Sequence, residues 1–544
     1  MFHSKPVLSR GLRLNNSGLD SLSFGLTRSV AEHYNPNDNE SNPELFSLNP
    51  RERTGFEWNI DSDEEFIFQE YGDKQVIRSA GYIGQPRLTN ACSPEDHLEE
   101  DAQDKPKNRA MEWKQLRPSL IYSLWNSLYF GFLISVLAAA LIGTLSIIVY
   151  YVAYQVTLVC LGRSKDSIPL KIQWSKTISE CMEVIFIHLW FFVNTLFYFK
   201  PHQINGLKRQ LILVSSVFYV LDAAYRIALQ ALGISRSELT PLQTVPANVL
   251  FLFSFGVQSW LLARRFSRAV GARKLTTFLW MIGSSAFPFI VAVLVSNFIY
   301  PAYDKQDKTG KIYIAVFTPL IAVLKGSSRL LMQRLWRISH PGKTFVFLVP
   351  LYYGSAVMLR LLQVDLDSLK AVALIGVIHG VAEVIERSII VLVDYIYHQL
   401  YERRRLSWGS FRTARRERLA TDIAIMSMLC EASAVISVSG FLHLHEYFYT
   451  DGKTVPQLLQ SFAITSAVPL VIEWFFTCLS IAIETRYQNR PILAVWRRQW
   501  KRHLIVAALN TFVIALWASE RLVIAIEGRF PAVKDYCEKP FSHL

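Results

Sequence analysis

Apolar segments of about 20 or more residues recur from Pro118 to the end of this 544-residue chain. A helix of about 20 residues is about 30 Å long, which matches the hydrocarbon thickness of a bilayer. The sequence therefore predicts an all-α fold, a polytopic bundle of about eleven transmembrane helices. The predicted spans are 121–161, 177–199, 210–234, 243–263, 275–299, 312–333, 345–363, 370–400, 419–446, 457–484 and 503–526.

Composition supports a lipid environment. Hydrophobic residues make up 51% of the chain and charged residues only 19%. In soluble proteins about a quarter of the residues are charged. Its net charge of +13 is spread over short loops between apolar segments, so we predict the lipid bilayer as its partner and exclude nucleic acid. The six cysteines form no CxxC pair, and we predict no metal site and no cofactor.

Three regions follow from the distribution of polar residues. Residues 1–115 are polar and show no sustained periodicity, which predicts a disordered tail. Residues 116–530 form the predicted helical bundle, and residues 531–544 form a short C-terminal tail. The first apolar segment is too long for one straight crossing, so we expect an interfacial lead-in containing Trp125 and Tyr129, followed by one long tilted helix.

Basic residues predict the orientation of the chain, because Lys and Arg in short loops stay on the cytoplasmic side. The most basic loops are 264–274, 403–418 and 486–502. With eleven spans, all three lie on the same side as the N-terminal tail. We therefore expect a cytoplasmic N-terminus and an extracytoplasmic C-terminus in the plasma membrane or an endomembrane.

Many ionisable residues lie inside the predicted spans, where each costs at least a few kcal/mol unless it is paired or hydrated. Asp222 with Arg226, and Glu383 with Arg387, are spaced four apart and predict intrahelical ion pairs. Two interpretations stay open: the acids line a polar pathway, or they form dry ion pairs that fix helix register. The pathway candidates are His379, Glu383, Glu386, Asp394, Glu431, Glu473 and Glu520, and the charge partners are Asp222, Arg226, Lys325, Arg329, Arg360, Arg387 and Arg521.

The segments 382–399 and 469–488 share a Val-Ile-Glu sequence and a polar end. Both run in the same direction through the predicted membrane. They are candidates for a parallel repeat of helix pairs.

Catalytic motifs are missing from the sequence, which has no GxSxG, HExxH, P-loop or GxGxxG motif in its expected context. His443 and His445 with Glu446 resemble a metal cluster, but two residues two apart point away from each other on a helix. We predict a channel or secondary transporter for an ion or small solute, and the sequence leaves enzymatic activity open as an alternative. The alternatives are a membrane-embedded enzyme acting on a lipid, with His379 or His443 and His445 as functional residues, and a non-catalytic scaffold. A homo-oligomer or membrane-complex subunit fits each hypothesis.

Overall fold

We describe the protein from a computed structural model. It describes residues 120–158, 167–199, 204, 206–234, 241–270, 273–279, 281–283, 325, 345–364, 368–403, 414–449, 454–486 and 492–529. The predicted tails 1–115 and 531–544 lie outside these residues.

Nine long helices make up most of the described chain. They are α1 (Leu120–Val156), α2 (Leu170–Tyr198), α3 (Lys208–Ala231), α4 (Pro241–Val270), α5 (Val349–Val364), α6 (Leu369–Arg403), α7 (Ala414–Tyr449), α8 (Val455–Arg486) and α9 (Ile492–Arg529).

Eight of these helices are long and apolar enough to cross a membrane, which supports the prediction of an integral membrane protein. The ninth, α6, coincides with the predicted span 370–400, but its charged residues lower its apolar character. The predicted spans 275–299 and 312–333 lie mostly outside the described residues. The count of about eleven spans therefore stays a prediction.

The first helix is continuous, as the unbroken apolar sequence predicts, and an interfacial position for its start stays a prediction. It is helical without a break from Leu120, through the exposed Trp125 and Tyr129. Its hydrogen-bonding pattern widens to a π-helix at Ala138–Gly143, before the next α-helical segment. The absence of a Pro or charged residue explains the continuity, because the sequence offers nothing that would end the helix.

The core of the bundle lies around α5 and α7. In an apolar segment of 18 residues in each of these two helices, 83% of the residues are buried. The corresponding share in α3 is 22%. The α3 helix instead exposes large apolar side chains such as Leu213 and Val220, which suit contact with lipid. Polar groups on α5 and α7 are therefore removed from both water and lipid.

Two glycines of α6 allow this helix to approach α8 closely. A Cβ at Gly376 would lie 3.6 Å from Ile472, and one at Gly380 would lie 2.2 Å from Phe476. Residue numbers increase in the same direction along both helices from the first contact to the second, so α6 and α8 run parallel. This agrees with the direction predicted for the two Val-Ile-Glu segments. A Gly-x-x-x-Gly spacing is typical of such close packing in membranes. This packing brings the charged faces of α6 and α8 next to α7.

Candidate functional site

A group of eight ionisable side chains, here called the charge cluster, lies in the interior between α5, α6, α7 and α8. Seven of its members are almost completely buried, and His379 is 13% exposed. Three of its acids lie within about one turn of the middle of their helices, which is the most expensive depth for a charge. The members are Lys325, Arg360, His379, Glu383, Arg387, Glu431, Glu473 and Glu484.

Arg360 on α5 connects two acids of different helices. Its Nη2 lies 3.0 Å from Glu473 Oε2 on α8 and 3.8 Å from Glu431 Oε2 on α7. Its Nη1 donates a hydrogen bond of 3.0 Å to Gln363 Oε1, one turn away on the same helix. One guanidinium thus holds α5, α7 and α8 together.

Glu431 is the most highly connected acid of the cluster. Its Oε1 lies 3.7 Å from Lys325 Nζ and 3.5 Å from His379 Nε2, in addition to the contact with Arg360. The ammonium of Lys325 also lies 5.1 Å from the centre of the Tyr352 ring, a distance typical of a cation–π contact. Three basic side chains therefore converge on one carboxylate that is 1% exposed.

A second part of the cluster follows along α6. Arg387 Nη2 donates to Glu383 Oε1 at 2.6 Å, which is the intrahelical pair that the spacing predicts. Its Nη1 lies 3.9 Å from Glu484 Oε2 on α8. The hydroxyl of Ser427 on α7 donates to the same oxygen of Glu383 at 2.8 Å. These contacts connect α6, α7 and α8.

Several polar atoms of the cluster retain hydrogen-bonding capacity. Within the described residues, Glu473 Oε1, Glu383 Oε2, Arg360 Nε and Gln363 Nε2 have no hydrogen-bond partner, although all four atoms are buried. Buried polar atoms in proteins are nearly always paired with protein or water. These four atoms comprise two hydrogen-bond donors, on Arg360 and Gln363, and two acceptors, on Glu383 and Glu473.

Two other pathway candidates lie on described helices, and the charge of Glu386 acts on Lys325 and Arg387 of the cluster. Glu386 is half-buried on α6, and Glu520 is half-buried on α9. The side chains of Arg329, Asp394 and Arg521 lie outside the described part of the chain.

The charge pair predicted at Asp222 and Arg226 belongs to a separate group between α2 and α3. Arg226 Nε donates to Asp222 Oδ1 at 3.0 Å, and its Nη1 lies 3.5 Å from Glu180 Oε2. His188 Nε2 lies 3.3 Å from the second oxygen of Asp222. The side chain of Arg226 is 25% exposed, so this group is less enclosed than the charge cluster.

The two histidines at the end of α7 face different helices, as their spacing predicts. The ring of His443 contacts Ser439 O at 2.7 Å and Ser461 Oγ of α8 at 3.1 Å. His445 packs against the rings of Tyr154 and Tyr449. No group of three or more potential metal ligands occurs within the described residues.

Two polar contacts of α9 were not anticipated from the sequence. His503 Nε2 lies 2.9 Å from Asp422 Oδ1 of α7, and both side chains are completely buried. Asn510 Oδ1 accepts hydrogen bonds from Trp190 Nε1 at 2.9 Å and from Asn194 Nδ2 at 3.1 Å. A polar residue within an apolar span is the only signal for such contacts, and it does not identify the partner.

Comparison with known proteins gives no match to a family model, to a curated protein or to a solved structure.

Proposed function

We propose that the protein is a secondary transporter or channel for an ion or small polar solute, with the charge cluster as its binding site. The observation that carries this proposal is the environment of Arg360. This buried guanidinium is shared by Glu431 and Glu473 from two other helices, and it lies beside polar atoms with remaining hydrogen-bonding capacity.

The free-energy cost of placing charges inside membrane spans supports this interpretation. Ionisable residues inside spans are expensive, and they typically mark ion or substrate pathways. Transporters also place their binding sites near the bilayer midplane, between helices that belong to repeated units. The middle positions of Glu383, Glu431 and Glu473 fit such a site, and the parallel packing of α6 against α8 fits such a repeat.

The test is transport by the purified protein in liposomes against a panel of inorganic ions and small solutes. The informative variant is Glu473→Gln, because Arg360 then keeps Glu431 as a partner and the fold is retained. We expect the parent protein to transport at least one solute and this variant to change the rate or the selectivity.

The α2–α3 group provides a matched control. In Glu180→Gln, Arg226 similarly keeps a second carboxylate, that of Asp222 at 3.0 Å, so one buried acid is again removed from a shared arginine. Transport should be unchanged in this control. Equal losses in Glu180→Gln and Glu473→Gln, or no flux of any solute in the parent, would reject the proposal.

A non-catalytic scaffold is the second candidate function. It is favoured by the ion pairs themselves, since Arg360 and Arg387 each connect different helices and could serve only to fix their positions. A parent protein without flux whose Gln variants lose their folded state would support this candidate.

A further inference from the structure

The pair formed by His503 and Asp422 lies on α9 and α7, near the start of both apolar spans, and the proposed transport pathway does not use it. The side chains of both residues are 0% exposed. The α9 helix bends one turn before the histidine, at Gln499, whose backbone angles (φ −126°, ψ 16°) are not helical.

Both nitrogens of the His503 ring face oxygen atoms. Nδ1 lies 2.9 Å from the carbonyl oxygen of Gln499, and Nε2 lies 2.9 Å from Asp422 Oδ1. A carbonyl can only accept a hydrogen bond, and so can an ionised carboxylate. A neutral imidazole has a single N–H group, so it can satisfy only one of these two oxygens.

Two hydrogen bonds therefore require one additional proton. It lies either on the ring, as an imidazolium beside a carboxylate, or on Asp422, as a carboxylic acid that donates to the ring. In both cases the pair of side chains holds one proton more than a neutral imidazole beside an ionised carboxylate.

The surroundings of the ring are mostly aromatic. Phe345 stacks on it at 4.9 Å between ring centres, and Trp496 lies at 6.4 Å. The neighbouring Arg502 donates to the carbonyl of Phe197 on α2 and lies 5.8 Å from the Phe345 ring. Within the described residues, Asp422 is the charged side chain that contacts the imidazole.

We propose that His503 and Asp422 form a proton-binding site that fixes α9 against α7 beside the bend at Gln499. Loss of the proton removes one of the two hydrogen bonds. Either the contact between the helices or the contact at the bend is then lost. This proposal does not depend on transport and can be tested without measuring flux.

The proton also makes the separation of the two helices pH-dependent. When His503 and Asp422 separate into water above about pH 6.5, the imidazole is neutral and the carboxylate is ionised, so one proton is released. The equilibrium constant for separation then rises about tenfold for each pH unit. The contribution of this pair to the stability of the bundle is therefore lost as the pH rises.

The decisive variant is Asp422→Asn in the full chain, reconstituted in phospholipid nanodiscs. The Asn amide can donate to an unprotonated Nε2 while Nδ1–H still donates to Gln499, so both hydrogen bonds persist without the extra proton. We expect the pH slope of thermal unfolding between about pH 6.5 and 9 to be smaller by one proton in Asp422→Asn than in the parent. The variant His503→Gln should show the same reduction.

His443 supplies the matched control. Its ring contacts a backbone carbonyl and the Ser461 hydroxyl, and a hydroxyl can donate, so a neutral ring satisfies both partners. The variant His443→Gln should keep the parent's pH slope. A slope that is as steep in Asp422→Asn as in the parent overturns the proposal.

Nitrogen NMR of ¹⁵N-histidine-labelled protein gives a second measurement that requires no stable His503 variant. The parent should show one buried histidine that hydrogen-bonds through both nitrogens with the extra proton present. In Asp422→Asn the same ring should become neutral. A neutral His503 beside an ionised Asp422 in the parent would overturn the proposal.

Discussion

Removing the positive charge of Arg360 should destabilise the folded bundle strongly. The variant Arg360→Gln keeps a polar side chain but leaves the carboxylate of Glu473, 3.0 Å from the guanidinium, without this cation. The carboxylate of Glu431, at 3.8 Å, loses one of its three basic neighbours.

The expected magnitude follows from these distances and from burial. Two unit charges about 4 Å apart attract by about 4 kcal/mol at an effective dielectric constant of about 20. Breaking a buried ion pair on one side costs about 3–5 kcal/mol in proteins. We therefore expect the ratio of folded to unfolded protein to decrease about 150-fold or more.

A double-mutant cycle provides the assay. Thermal unfolding in detergent is measured by size-exclusion chromatography for the parent, Arg360→Gln, Glu473→Gln and the double variant. Because the double variant removes both charges of the 3.0 Å pair, it should be more stable than Arg360→Gln alone. The coupling energy should reach about 1–3 kcal/mol.

The control is Arg226→Gln. This arginine also connects two acids, but its side chain is 25% exposed compared with 4% for Arg360. Its removal should cost less, because an ion pair with a partly exposed arginine is worth less than an enclosed one and Asp222 keeps His188 Nε2 at 3.3 Å. Equal costs for Arg226→Gln and Arg360→Gln, or strictly additive effects in the cycle, would refute the reasoning.

Three further predictions concern packing, the α2–α9 contact and topology. Gly380→Ala should destabilise the bundle by about 1–3 kcal/mol in the same unfolding assay, since its Cβ would overlap the Phe476 ring of α8. Gly376→Ala should be tolerated, because its Cβ would lie 3.6 Å from Ile472, an ordinary contact distance. Asn510→Ala removes the oxygen that accepts hydrogen bonds from Trp190 and Asn194 and should lower the free energy of unfolding by about 1–3 kcal/mol. An unchanged melting temperature in thermal unfolding would contradict this. An impermeant thiol reagent applied to intact cells should label Cys537 and spare Cys92, and labelling of Cys92 alone would reverse the proposed orientation.

The positions of the long helices could be predicted because length and hydropathy are local properties. The predicted spans 177–199 and 457–484, for example, correspond to the helices Leu170–Tyr198 and Val455–Arg486. The main differences are at the ends, where polar residues extend helices beyond their apolar part. The π-helix at Ala138–Gly143 had no comparable signal.

Contacts within one helix were equally accessible to sequence analysis. Glu383 and Arg387 lie four apart, and their pair follows from the helical repeat alone. The partner of Arg360 lies 113 residues away, so its identity depends on how helices are arranged and not on spacing. For the same reason, the sequence predicted a set of charge partners but not which residues of different helices pair with each other.

The histidine at position 503 shows a second limit. At the start of an apolar segment it resembles an interfacial residue, and its buried partner lies 81 residues earlier. The Gly-x-x-x-Gly spacing at 376–380, in contrast, is a local sequence signal from which the close packing of α6 can be predicted.

The order in which partners occur along the chain has a consequence for biosynthesis. The basic partners of Glu431, which are Lys325, Arg360 and His379, all precede it, so they are synthesised before α7 leaves the ribosome. Asp422 must wait for His503, which follows 81 residues later. At about 5–20 residues per second, this delay lasts about 4–16 s. During that time α7 is in or beside the membrane without the helix that completes its second polar contact, so we expect ribosome stalling between α7 and α9 to expose the nascent chain to quality control.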